Sequence, residues 1–107
     1  ENISIVGNNI DTVAGDGIII TTLPFVIANA KRIVISNNCV SNCVDNAIQA
    51  IGDQCVISSN TAYNSDATGS NSGLISGALT NSQIVNNTLN DSGIPGSGIG
   101  SPFTIAS

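Results

Sequence analysis

The chain has 107 residues, of which 41% are apolar and 8% charged, and carries a net charge of −5 at pH 7. Its charged content is far below the roughly 25% of an average soluble domain, so solvent-facing positions fall to Asn, Ser, Thr and Gly. Two basic residues, Lys31 and Arg32, against seven acidic ones argue against a nucleic-acid or anionic-membrane surface, and the lack of histidine removes the usual zinc ligand and the usual base for a Ser or Cys nucleophile.

The first predicted element is "NISIVGNNI" at 2–10, a period-two run that ends in asparagines. Near copies follow: "RIVISNNCV" at 32–40, "QCVISSNTA" at 54–62 and "SQIVNNTL" at 82–89. Aligning Asn8, Asn38, Asn60 and Asn87 places Ile5, Ile35, Ile57 and Ile84 three positions before, and Ile10, Val40, Ala62 and Leu89 two positions after. Five positions before stand Ile3, Ile33, Cys55 and Ser82. Apolar or small residues at two-residue spacing mark a short strand buried on one face. A further strand is predicted in each unit, with Ile18 and Ile20 matching Ile48 and Ala50, and with Leu74 and Ile99 taking the same place.

Between these runs lie an apolar excursion at 21–32, "TTLPFVIANAKR", and a polar insertion at 63–73, "YNSDATGSNSG". The excursion is expected to cover a flank or form a chain contact. The tail "SGIPGSGIGSP" lacks the spacing of a phosphate loop and reads as turn-rich. Cys39, Cys43 and Cys55 form no CxxC pair and read as small hydrophobes that stay reduced, with Cys39 expected at a corner. No run of 18 apolar residues occurs, so no membrane insertion is predicted.

The anchors are 30, 22 and 27 residues apart. Helical repeats need a 3.6-residue period and good helix formers, and neither is present. The I-x-x-N-x-I pattern, carried by Ile5 to Asn8 to Ile10, Ile35 to Asn38 to Val40, Ile57 to Asn60 to Ala62 and Ile84 to Asn87 to Leu89, resembles the right-handed parallel β-helix repeat of pectate-lyase-like and bacteriophage tailspike-like proteins. The resemblance spans nearly the whole chain. It implies an all-β solenoid of about four coils of 22–30 residues, read as one segment over 1–107. The expected structure is a fragment of a longer β-helix, or a protomer whose ends are capped by partners.

The four anchor asparagines are expected to form an amide ladder, since each side chain carries both donors and an acceptor and tolerates the left-handed conformation of a tight corner. Candidate chemistry is sparse. Asp16 in "GDGI" and Asp45 in "VDNAI" fall one position out of register on adjacent units, a placement that suits the paired carboxylates of glycoside hydrolysis. Turn residues, or a calcium site completed by turn carbonyls, are the alternatives for the same pair. Asp53, Asp66 and Asp91 read as solvated corners. Tyr63 is the candidate sugar-stacking residue, Phe25 and Phe103 being the only other aromatics.

Lys31 and Arg32 alone do not make the basic set of the family's lyases, and the His-containing set of polygalacturonase-like members is absent. The resemblance implies a polysaccharide partner and either a homotrimer or further coils of a longer chain. Two functions follow as expectations: the structural β-helix of a phage tailspike or receptor-binding protein, in the virion, or a secreted, extracellular hydrolase or lyase with Asp16 and Asp45 as acid and base. Neither needs a cofactor or a resident metal. A third, ice binding, requires a regular Thr row, whereas the outward column Ser4, Val34, Val56, Gln83 is irregular.

Overall fold

The computed structural model describes residues 2–21, 30–65 and 74–90 in full, and residues 99–106 as backbone. It is all-β with parallel sheets, and the described residues contain no helix. The first sheet consists of β1 (Ile3–Val6), β4 (Ile33–Ser36), β7 (Val56–Ser58) and β10 (Gln83–Val85), in that order. The second holds β2 (Asn9–Val13), β5 (Cys39–Cys43), β8 (Thr61–Tyr63) and β11 (Thr88–Asn90). The third holds β3 (Ile18–Ile20), β6 (Ile48–Asp53), β9 (Ile75–Thr80) and β12 (Ile99–Ala106). The chain thus visits the three sheets in turn, and each return adds one parallel strand to each.

Parallel pairing brings aligned residues of successive passes opposite one another, about 4.8 Å apart. Ile5, Ile35, Ile57 and Ile84 form one such column, and Ile10, Val40, Ala62 and Leu89 another. Ile35, Val40, Ile57 and Ala62, on the two middle passes, are fully buried, while Ile5, Ile10, Ile84 and Leu89 pack against them half-buried. Each fully buried aliphatic side chain stabilises the fold by roughly 1.5 to 3 kcal/mol. The core therefore runs along the columns rather than along any one strand.

Residues in the left-handed region recur at matching places on each pass. Between the first and second sheets these are Gly7, Asn37, Ser59 and Asn86, and toward the end of the second sheet Thr12 within β2, Asn42 within β5 and Asn64 just after β8. Arg32, Gln54 and Asn81 take the same role before the first sheet. The anchor asparagines were expected to adopt this conformation themselves; instead it belongs to the residue just before each. That division explains the doubled asparagine in "SNNC": Asn37 makes the turn, and Asn38 is free to point inward.

Other expectations also change in detail. The column begun by Ile18 and Ile48 continues through Ile75 and Ile99, not Leu74. Leu74 lies one position earlier, just ahead of β9, where its carbonyl accepts the Ile48 N–H at 2.9 Å; both Leu74 and Ile75 are buried, because period-two alternation holds only within a strand. Cys39 starts strand β5 rather than sitting at a corner, and it is half-buried. Tyr63 ends strand β8 and Ser65 is buried, so the insertion expected at 63–73 does not begin at 63. Residues 66–73, most of the excursion at 21–32, and Asp66 and Asp91 lie outside the described residues.

Gly77 shows how closely the third sheet packs. Its φ is +143°, and a Cβ there would come within 1.8 Å of the Ala50 carbonyl oxygen, so only glycine fits this place in β9.

Candidate functional site

The most regular polar feature is internal. Asn8, Asn38, Asn60 and Asn87 are joined in one run: the backbone N–H and the Nδ2 of Asn8 both donate to Asn38 Oδ1 at 3.0 Å. Those of Asn38 donate to Asn60 Oδ1 at 3.0 Å, and those of Asn60 to Asn87 Oδ1 at 2.9 Å. Each later Nδ2 makes a second bond at 2.9 Å to a carbonyl of the preceding pass, Asn38 to Ile5, Asn60 to Ile35 and Asn87 to Ile57. Asn38 and Asn60 are 2% and 1% exposed. Their polar groups are satisfied within the protein, as burial demands, which leaves nothing for a ligand to bind.

The other turns carry a shorter version of the same device. Ser65 Oγ accepts the Cys43 N–H at 3.1 Å and donates to the Tyr63 carbonyl at 3.2 Å. Ser82 Oγ accepts the Cys55 N–H at 2.9 Å and donates to the Thr80 carbonyl at 2.6 Å. The thiols of Cys43 and Cys55 face the matching carbonyls of Ser41 and Asp53, so each cysteine occupies the place that serine takes one pass later. Burial pushes both thiols up from their ordinary value, away from thiolate chemistry. Cys39, Cys43 and Cys55 are all free.

The outward face of the second sheet is different. Asp11, Ser41, Tyr63 and Asn90 align in one column, beside Asn9, Cys39, Thr61 and Thr88. Tyr63 is 40% exposed. Ser41, buried, lies between Asp11 and Tyr63 in the column and donates to Asp11 Oδ1 at 2.9 Å. Asn42 Nδ2 donates to the same oxygen at 2.5 Å, and Asn64 Nδ2 donates to Asn42 Oδ1 at 2.5 Å. The Asn42 amide and the Ser41 hydroxyl hold the Asp11 carboxyl below its ordinary range. The result is an exposed ring edged by a pre-ordered row of one carboxylate, two amides and a hydroxyl.

Asp16 and Asp45 lie at the turn that leads toward the third sheet. Asp16 stands level with Asn46, whose N–H donates to Asp16 Oδ1 at 3.0 Å, while Asp45 stands level with Gly15, whose carbonyl accepts the Asp45 N–H at 3.2 Å. Desolvation, and then the nearby Asp45 charge, push the Asp16 carboxyl up, against the Asn46 hydrogen bond. Asn46 is 1% exposed, and its Oδ1 is the buried polar side-chain atom without a hydrogen-bond partner among the described residues. The two candidate carboxylates are thus neighbours on adjacent passes, and neither lies in the Tyr63 column.

At the last set of turns, Asp53 Oδ1 accepts from Thr80 Oγ1 at 2.7 Å and from Asn81 Nδ2 at 2.8 Å. These bonds, with the Lys31 charge a smaller influence, lower the Asp53 carboxyl. Arg32 Nε donates to Asn2 Oδ1 at 2.8 Å. Among the described residues, no three His, Cys, Asp or Glu side chains cluster as a metal site. No helix of the described residues is long and apolar enough to cross a membrane.

Comparison with protein-family models, with curated proteins and with solved structures gives no match.

Proposed function

We propose that the three parallel sheets are the faces of one right-handed parallel β-helix, each pass being one coil, and that this chain is the structural β-helix portion of a polysaccharide-recognising protein of the phage tailspike or receptor-binding kind. The observation that carries the reading is the outward face of the second sheet. There Tyr63 offers a ring for a sugar to stack on, and the exposed Asp11, Asn42 and Asn64, held in place by their own hydrogen bonds and by buried Ser41, offer fixed donors and acceptors for hydroxyl groups. Two amides and one carboxylate beside a single aromatic suit a neutral, hydroxyl-rich ligand better than an anionic one. In this reading the protein works in the virion or outside the cell, as a trimer or within a longer β-helix.

The test is binding of the chain to a panel of immobilised polysaccharides. Retention by at least one glycan, lost in Tyr63→Ala with folding kept, supports the reading; retention unchanged in that variant removes Tyr63 from it.

A second reading, a polysaccharide hydrolase using Asp16 and Asp45, draws on the placement of those two residues one position out of register on adjacent passes and on the raised Asp16 carboxyl, the property wanted in a general acid. Release of reducing ends by the wild type, abolished in Asp16→Asn and Asp45→Asn with glycan binding kept, would favour it.

A further inference from the structure

Two carboxylates are built to the same plan. Asp11 Oδ1 accepts from Ser41 Oγ and Asn42 Nδ2, and Asp53 Oδ1 accepts from Thr80 Oγ1 and Asn81 Nδ2. In both, the hydroxyl residue stands level with the aspartate on the next pass, and the asparagine after it has a left-handed backbone. The two bonds end on the same oxygen, so Oδ2 keeps capacity to accept. Asn42 and Ser41 hold the Asp11 carboxyl below its ordinary value, and Thr80 and Asn81 do the same for Asp53. Each is therefore a fixed negative charge at neutral pH.

The two differ in what meets that charge. Lys31 lies level with Asp53 in a parallel backbone bridge, and its charge helps to hold the Asp53 carboxyl down. No charged side chain acts on Asp11. The chain has only two basic residues to offer, Lys31 beside Asp53 and Arg32, whose Nε donates to Asn2 Oδ1. Their columns differ as well. Asp53 shares its column with Thr80 and Ala106, whereas the Asp11 column holds the exposed Tyr63 ring. A bare calcium ion takes roughly six to eight oxygen ligands, far more than one carboxylate and its neighbours supply, so the missing counter-charge belongs to a larger ligand.

We infer that the glycan held on the Tyr63 face is an amino-sugar polymer with free ammonium groups, one sugar ring lying on Tyr63 while the ammonium of another unit is held by Asp11. This rests on the reading that the face binds glycan, and it names the class of glycan. Asp11 and Tyr63 stand two strand spacings apart in their column, about 10 Å, so the two contacts fall on different units of the polymer. A protonated amine donates to the carboxylate in a charge-assisted hydrogen bond. Because Ser41 and Asn42 already order Asp11, little side-chain freedom is lost on binding. A wholly neutral glycan leaves Asp11 without a counter-charge, and an anionic one is repelled by it.

The test is isothermal titration of the chain with a short oligomer of glucosamine and with its fully N-acetylated counterpart. Low ionic strength limits screening, and a mildly acidic pH keeps the amines protonated while Asp11, held below 3.8, stays ionised. The expected result is about fivefold tighter binding of the free amine, the upper end of what an exposed ion pair contributes. Asp11→Asn brings the two affinities level, since it keeps an oxygen for Ser41 but carries no charge. Asp53→Asn, the same change of net charge at the matched carboxylate, keeps the preference; circular dichroism checks that both variants are folded. Equal or tighter binding of the N-acetylated oligomer by the wild type overturns the inference and leaves the glycan reading in place, as does retention of another, neutral glycan with neither oligomer bound. A preference that survives Asp11→Asn, or that Asp53→Asn reduces as much, also overturns it, the attraction then coming from the overall charge of the chain. Binding of both oligomers unchanged in Tyr63→Ala, or no binding of any glycan, removes the glycan reading itself and the inference with it.

Discussion

The asparagine run and the outward Tyr63 face are built from the same kinds of side chain, and they differ in where their hydrogen bonds end. In the run, amide meets amide and backbone carbonyl, both middle members are buried, and the pattern repeats on every pass. On the outward face, Asp11, Ser41, Tyr63 and Asn90 differ on every pass, and Tyr63 and the Asp11 carboxylate remain open to water. Regularity marks the parts whose partners are other passes of the same chain. The outward face shows no such repeat, and in the proposed reading its partner lies outside the chain.

That contrast can be broken by substitution, and the largest effect belongs to the buried run. Asn60→Ala removes the acceptor for Asn38 and the donors to Ile35 and Asn87, leaving buried groups unsatisfied. A loss of about 3 kcal/mol in urea unfolding is expected. Tyr63→Ala costs about 1 kcal/mol or less, as surface changes do, yet is expected to abolish retention on a polysaccharide column.

Smaller effects concern the carboxylates, and their signs are opposite. The folded state raises Asp16 above its ordinary 3.8, so it holds this proton more tightly than the unfolded chain does, and stability falls as pH rises past that value. Asp16→Asn removes the buried charge and keeps an oxygen for the Asn46 N–H; thermal melts should show a higher midpoint at neutral pH and a weaker decline above pH 3.8. Asp11 is lowered from 3.8 by Asn42 and Ser41. Its contribution is therefore present above that pH and lost as pH falls below it. Asp11→Asn should flatten the acid side of the melting profile, with the smallest change of the set because the group is fully exposed.

Much of the fold was legible because the inward columns and the anchor asparagines recur at fixed offsets, so one alignment places the passes in register, although it reads each pass as two strands where the chain breaks the first run at the asparagine into two. The place of Leu74 is not legible because "GLIS" gives two adjacent apolar residues and no phase; only the pairing of β9 with β6 shows that Ile75 is the column member. The equivalence of Cys43 with Ser65, and of Cys55 with Ser82, was hidden by treating cysteine as a hydrophobe, although "SNC", "YNS", "DQC" and "TNS" align once the turns are read as repeats. Tyr63 was found as one of three aromatics, but its neighbours were not. They stand three positions after Asn8, Asn38 and Asn87, in a column whose members share no chemistry, and an irregular column gives no sequence signal until the strands are paired.

Asn37 and Asn38, adjacent and chemically identical, have separate duties: one turns the chain in the left-handed region, exposed, and the other is a buried member of the amide run. Urea unfolding of Asn37→Asp and Asn38→Asp compares the same substitution at both. Aspartate tolerates the left-handed conformation, so Asn37→Asp is expected to stay within about 0.5 kcal/mol of wild type. Asn38→Asp loses its donors to Asn60 and Ile5 and buries an uncompensated charge, at a cost of about 3 to 5 kcal/mol. Equal losses at the two positions would contradict this division.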